Sequence, residues 1–410
     1  MKKLTILLLF VSFITKAQSV KNQILENLSE IKSVNPKDTN FSDLKKIGDA
    51  IGNSKIVFLG EQDHGDATAF EAKTRIIKYL HEKKGFNVLA FESDFFNINK
   101  KSDENKPIEE IEKSIFSVWS KCVQVNPLFS YIKNQQKKNP ITISGFDCQI
   151  GQNLEEDRIS FVSEMEKYIE KEIDVSTIDN YNLFRETLKD VIFFVKKTKK
   201  KDAYFKKVKK KTQKKFFQTL TEIKKSIKNK ETFLFKNLEN LESYAKMAWR
   251  NKEYRQGRDT QMGKNILWLV ATKFPNEKII FWAHSAHLVK GKSSRNSYTK
   301  TSAGKYAIDR LNANEVYSIG FSSRVGYTDR VSLNANIEGY EIINAQKEGF
   351  ESWVYSKKLQ YAFINFKALK NNSETFHMKG SSHYSYKNNW LTAFDGIFYI
   401  DKISPCIEEK

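Results

Sequence analysis

The chain has 410 residues, 40% of them hydrophobic and 29% charged, with a formal net charge of +20. That length is enough for one large core or two smaller ones and excludes a small disulfide-held scaffold. The positive charge admits anionic surfaces as partners, but its excess is mostly lysine concentrated in Lys196–Lys230, without arginine, so nucleic acid is not the indicated partner and a solvated helical face is the plainer reading.

Residues 1–17 read as a cleavable signal peptide. Lys2 and Lys3 precede an apolar run over Leu4–Ile14 that only Thr5 and Ser12 interrupt, and Thr15-Lys16-Ala17 follows. Loss of Lys2, Lys3 and Lys16 takes the charge from +20 to +17. The run is too short to span a bilayer and no later stretch qualifies, so the expectation is a periplasmic or secreted protein with no integral membrane segment. Cys122, Cys148 and Cys406 are an odd set without a CxxC pair; they allow one bridge, and Cys148 beside a strand reads as buried filler.

Residues 18–54 form an N-terminal helical segment in this reading, with Ile24, Leu25, Leu28 and Ile31 at helical spacing in a helix over Ser19–Ile51 and a turn at Asn35-Pro36. Residues 55–151 start an α/β core. Ile56, Val57, Phe58 and Leu59 make a continuous apolar run that suits a strand buried on both faces. Gly60 ends it, and Glu61, Asp63, His64 and Gly65 crowd the loop before a helix with Phe70, Ile76, Ile77 and Leu80 on one face. A second strand, Phe86–Glu92, and a third, Ile141–Phe146, follow, separated by helices over Ile108–Val123 and Leu128–Gln136. Strands alternating with helices predict right-handed crossovers and a parallel sheet.

Between residues 152 and 254 strand signals stop. Tyr181, Phe184, Leu188, Val191 and Val195 recur at helical spacing, as do Phe217, Leu220, Ile223 and Ile227, then Leu234, Leu238, Leu241 and Ala245. This predicts a lysine-rich insertion of three or four helices, a lid or a spacer. The α/β pattern resumes over 255–404: a helix at Asp259–Lys273, a strand at Lys278–Ala283 ending in His284, a helix at Ala303–Leu311 and a strand at Val316–Phe321. Late strands are expected at Tyr361–Phe366 and Gly396–Ile400, with a loop between them that holds His377 and His383. The fold class expected is α/β, a mostly parallel central sheet with flanking helices and an all-helical insertion.

In such sheets ligands bind beyond the carboxyl ends of the strands. If the strands are parallel neighbours, Glu61 and His64, Glu92, Asp147, and His284 and His287 all emerge on one edge. Taken singly, Asp63 or Glu92 can cap a helix and Asp147 can close a turn; together they suit general acid–base work, a carboxylate orienting an imidazole. No G-x-S-x-G, HExxH, P-loop or GxGxxG motif occurs.

Gly60-Glu61-Gln62-Asp63-His64-Gly65, Phe91-Glu92-Ser93-Asp94, Gly145-Phe146-Asp147, Arg258-Asp259-Thr260-Gln261-Met262 and Trp282-Ala283-His284-Ser285-Ala286-His287 together resemble the erythromycin esterase family. The resemblance implies an α/β fold with a helical insertion and hydrolysis of a macrolide lactone or other carboxylic ester by activated water, with no cofactor, and macrolide cleavage would confer antibiotic resistance. It makes His64 the general base, Glu61 and Glu92 the carboxylates that orient that imidazole or the water, and His284 and His287 supports for the carbonyl or oxyanion. Arg258 either supplies a cation for substrate binding or pairs with Asp259 or Asp147 as a structural bridge; Asp147 is also expected at the substrate, and Arg75, or Lys73 on the same helix, is a further cation. Two other readings stand beside this one. One is a metal-dependent hydrolase using His64, His284, His287 and the two glutamates; the other is an envelope protein whose basic insertion holds anionic polymers.

Overall fold

The computed structural model describes residues 19–193, 208–251, 254–291, 301–331, 338–369 and 373–409. The expected signal peptide and the part of the lysine-rich stretch from 194 to 207 lie outside the described residues. The strands are β1 (Ser29–Ile31), β2 (Ile56–Glu61), β3 (Phe86–Asp94), β4 (Thr142–Asp147), β5 (Lys278–His284), β6 (Val316–Thr328), β7 (Tyr340–Glu341), β8 (Tyr361–Asn365), β9 (Phe376–Lys379), β10 (Ser385–Asn388) and β11 (Gly396–Ile403). The main sheet runs β1-β8-β11-β6-β2-β5-β3-β4. The six strands from β11 to β4 are parallel, and β8 and β1 close one side antiparallel.

Pleating explains why β2 is apolar throughout. Val57 and Leu59 join one core with Phe70, Ile76 and Leu80 of the helix Ala67–Lys84. Ile56 and Phe58 face the other way, toward Met262 and Ile266 of the helix Tyr254–Trp268. With both faces covered, polar side chains can leave β2 only at its end. The register aligns that end with its neighbours: Glu61 lies opposite His284, Phe91 opposite Trp282, and Asp94 opposite Asp147. Loops that are far apart in sequence therefore open on a single edge.

Among the described residues the insertion has four α-helices, Glu155–Glu172, Tyr181–Phe193, Lys210–Ser226 and Phe233–Ala248, around a core of their own that includes Phe161, Phe184, Leu220 and Leu241. Phe233 docks it to the sheet layers among Phe95, Phe96 and Trp268, and a buried amide pair, Asn265 to Asn240 at 2.8 Å, joins it to the helix Tyr254–Trp268. No helix among the described residues is long and apolar enough to cross a membrane.

Three local expectations are corrected. The helix expected over Ser19–Ile51 is two short helices, Val20–Glu26 and Lys45–Ile51, with β1 between them on the sheet edge. Asn35, Asp38 and Asn40 each accept a backbone N–H two residues on, at 2.9 to 3.1 Å, turns that compete with helix. The helix expected over Ile108–Val123 breaks into Ile108–Glu112 and Ser117–Ser120, because Ser93 Oγ takes the Phe116 N–H at 3.1 Å and Asn153 takes the Lys113 carbonyl at 3.1 Å. The late loop between the last strands holds the hairpin β9–β10.

Arg75 is also corrected, since it is not brought to the shared edge. It is buried beneath the N-terminal segment, paired with Asp43 through both Nη atoms at 2.8 Å, and donates to the Ser33 carbonyl at 2.7 Å and to the Asn40 carbonyl. It fastens that segment to the first core helix. Arg75→Met should lower the free energy of unfolding by about 3 kcal/mol, because it leaves Asp43 buried without its cation. Urea denaturation measures this, and an unchanged midpoint would show that the clamp contributes nothing.

Candidate active site

Glu61 is wholly buried at the end of β2 and receives three donors. Lys73 Nζ, also buried, pairs with Oε2; Trp119 Nε1–H reaches Oε1 at 3.1 Å; and His64 Nδ1 lies 3.3 Å from that same oxygen. Burial by itself would raise the Glu61 carboxyl, but Lys73 and His64 hold it below the usual range, so it is a carboxylate. Burial pulls the Lys73 ammonium down to about 8 against the attraction of Glu61. An acceptor beside Nδ1 places the imidazole proton there and leaves the His64 Nε2 lone pair for a ligand. The His64 side chain is 19% exposed, against 0% for Glu61, so the imidazole faces outward and the carboxylate faces the core.

Close packing of backbone supports this loop. A Cβ at Gly60 would lie 2.9 Å from Ser285 Cα, and one at Gly65 would lie 2.4 Å from the Asp329 carbonyl carbon. Asp63 turns away from the site to a two-pronged pair with Arg330 at 2.7 Å, which holds its carboxyl well below the usual range despite burial. The Gln62 side chain spans Ser323 and the Lys379–Gly380 carbonyls.

A second charged cluster adjoins the first. Glu92 Oε1 meets Arg258 Nη2 at 2.7 Å and His287 Nε2 at 3.2 Å, while its Oε2 accepts the His284 backbone N–H at 2.9 Å. Asp147 takes the other side of the Arg258 guanidinium, 2.5 Å from Nη2, and Asp259 takes His287 Nδ1 at 2.7 Å. Despite burial, Glu92 is held well below the carboxylate range by His287 and Arg258. Burial opposes charge on His287, but Glu92 and Asp259 overcome it and raise the imidazolium to about 9.

His284 differs. Its ring is 5.1 Å from that of His64 and 6.3 Å from that of His287, centre to centre. Nε2 lies 2.7 Å from the Gln62 carbonyl and Nδ1 accepts the Ala286 N–H at 3.2 Å, which defines a neutral Nε2–H tautomer. Burial and the neighbouring His64 bring it down to about 4. Both nitrogens are engaged, so His284 ties β2 to β5 and has no N–H left for an oxyanion.

The structure thus gathers His64, Glu61, Glu92, His284, His287, Arg258 and Asp147. Asp147 is fully buried and acts through Arg258, so it does not line the cleft as expected for substrate binding. The partly exposed members are His64, Arg258 and His287. Among the described residues no group of three or more His, Cys, Asp or Glu side chains is arranged to hold a metal ion; the cation between Glu92 and Asp147 is Arg258. Sequence reading missed Trp119, whose position leaves no periodic mark, and His383, buried with Nε2 3.0 Å from Asp66. It rated Lys73 a minor candidate, although its place three residues after Phe70 and four before Ile77 puts a lysine on an apolar helix face.

A family model described as "Erythromycin esterase" matches residues 81–403, which includes Glu92, Asp147, Arg258, His284 and His287. YbfO of Bacillus subtilis (strain 168), named as a hydrolase by inference only, is 26% identical over 395 residues, 89% of this chain and 87% of that one. Erythromycin esterase type II of Escherichia coli is 19% identical over 404 residues, 90% of this chain and 95% of that one. A mutant of the erythromycin esterase EreC in its open conformation superposes with a TM-score of 0.63 at 15% identity, over 91% of this chain and 97% of that one. At that identity the likeness is one of fold.

His287 gives this site a pH signature. Its folded value near 9 lies above the ordinary 6.5, so its stabilising contribution is complete below pH 6.5 and is lost as the pH rises through 9. Urea unfolding of the wild type and of His287→Gln should differ most near pH 6 and converge by about pH 10. A constant difference across that range would mean that His287 is neutral in the folded protein.

Proposed function

The chain belongs to the erythromycin esterase family, and from that premise we propose that it is a hydrolase that cleaves a carboxylic ester or macrolide lactone with water activated by His64. The observation that carries this reading is the Glu61–His64 pair: a buried carboxylate behind Nδ1 and a partly exposed imidazole. In the proposed reaction His64 Nε2 takes a proton from water as its oxygen attacks the carbonyl carbon. The carbonyl π electrons become an oxyanion, which the Arg258 guanidinium stabilises, while the His287 imidazolium, both of its nitrogens held by carboxylates, adds only its charge. The carbonyl then re-forms, the alkoxide leaves, and the His64 imidazolium returns the proton to it, giving acid and alcohol. Arg258 and His287 replace His284 in the oxyanion role because their charge persists and His284 is neutral.

A periplasmic or secreted location is part of this proposal. It is supported by the Cys122–Cys406 disulfide, a bond that persists in oxidising compartments. If the substrate is a macrolide, the reaction destroys the antibiotic and confers resistance.

The test is a hydrolysis screen of erythromycin, simple lactones and p-nitrophenyl esters. On a substrate that responds, His64→Ala should lower kcat/KM by roughly a thousandfold with the fold intact. Activity that survives the substitution would remove His64 as the base. Elemental analysis of protein purified without a histidine tag is the companion measurement, since stoichiometric metal would favour a metal-dependent route instead.

A further inference from the structure

Trp119 touches both members of the Glu61–His64 pair. Its indole N–H donates to Glu61 Oε1 at 3.1 Å, the oxygen that also faces His64 Nδ1, and its ring meets the His64 ring edge-on with centres 5.0 Å apart. Trp119 is fully buried, packed on Phe116 and Phe91. The carboxylate therefore cannot rotate toward or away from the imidazole without breaking the indole contact.

Trp119 sits on a single turn, Ser117–Ser120, too short to hold its own orientation. What holds it is the tail Ser404–Glu409. Cys406 is bonded to Cys122, the Val123 N–H donates to the Ile407 carbonyl at 2.9 Å, and the Glu409 N–H donates to the Lys121 carbonyl at 2.9 Å. The same tail grips the His64 loop: the Cys406 N–H donates to the Gly65 carbonyl at 3.1 Å, the Ala67 N–H to the Ser404 carbonyl at 3.0 Å, and Thr68 and Ser404 exchange side-chain contacts at 2.7 Å. One strip of chain thus fastens the orienting tryptophan to the base it orients. Cys122 is buried, but Cys406 is partly exposed and open to a reductant.

We propose that Trp119 is a positioning residue of the Glu61–His64 pair and that the Cys122–Cys406 bridge, acting through the Ser404–Glu409 tail, keeps it in register, so that full turnover requires a closed bridge. This rests on the hydrolase reading above. Opening the bridge needs a dithiol: the S–S bond takes two electrons, both cysteines leave as thiols with the reductant's protons, and the reductant closes to its own disulfide. The charged and titratable groups whose charge acts on His64 are Glu61 on β2, Glu92 on β3, His284 on β5 and, from its own loop though turned toward Arg330, Asp63, with Lys73 behind Glu61. With the indole donor gone, the Glu61 charge is less satisfied and falls more heavily on His64, which favours the imidazolium.

The test follows the His64 midpoint by NMR of histidine-labelled protein in wild type, Trp119→Phe, Cys406→Ser and wild type reduced with dithiothreitol, beside turnover of p-nitrophenyl acetate. Trp119→Phe should raise the His64 midpoint by about half a pH unit or more and lower kcat about tenfold with KM within about twofold. Cys406→Ser and reduction should move both in the same direction, and reoxidation of the reduced protein should reverse the change. A His64 midpoint and kcat that stay unchanged in folded Trp119→Phe, or a loss confined to KM, would overturn the role of Trp119. Unchanged values in Cys406→Ser and reduced protein would overturn that of the bridge, and these arms decide the matter if Trp119→Phe does not fold. Because the NMR titration needs no substrate, failure of p-nitrophenyl acetate turnover in the wild type counts against the hydrolase reading alone.

Discussion

Placing charge inside the carboxyl edge of a buried sheet is costly unless each charge finds a partner there, and this site is arranged around that constraint. Glu61 has Lys73, Glu92 and Asp147 share Arg258, Asp259 has His287, and Asp63 has Arg330. Of the three site imidazoles among the described residues, His64 and His287 are partly exposed, and only His64 is held by a carboxylate on a single nitrogen. The pairing therefore does more than stabilise the fold. It leaves the partly exposed His64 imidazole, the proposed base, among groups whose protonation is settled by their neighbours.

The same constraint separates three histidines that look equivalent in sequence. His287, between two carboxylates, is a cation; His284, with a backbone carbonyl on one nitrogen and a backbone N–H on the other, is neutral. Their spacing in Trp282–His287 permits either state for each. Only the acceptors brought up by β2, β3 and the helix Tyr254–Trp268 decide between them.

Much of the sheet was legible from continuous apolar runs, because a strand covered on both faces can carry little else: β2, β3, β4 and β5 lie within a few residues of their expected positions. The gathering of Glu61, Glu92, Asp147 and His284 at one edge followed from that, since parallel strands send their ends the same way. What was not legible depended on contacts between segments far apart in the chain. The break after Glu112 that aims Trp119 inward comes from Ser93 and Asn153, and no pattern within 108–123 records either. Arg75 and Lys73 lie two positions apart on one helix, a rotation of more than half a turn, so one enters the site and the other clamps the N-terminal segment.

The sulfur link between Cys122 and Cys406 spans 284 positions, which has a consequence for the order of events during biosynthesis. A growing chain can carry β2 to β6, the middle of the sheet, while Ser404–Glu409, the strip that ties Trp119 to the His64 loop, is still to be translated. On the role proposed for that strip, a molecule cut before Cys406 packs its sheet but turns over slowly, because Trp119 and the His64 loop are no longer tied together.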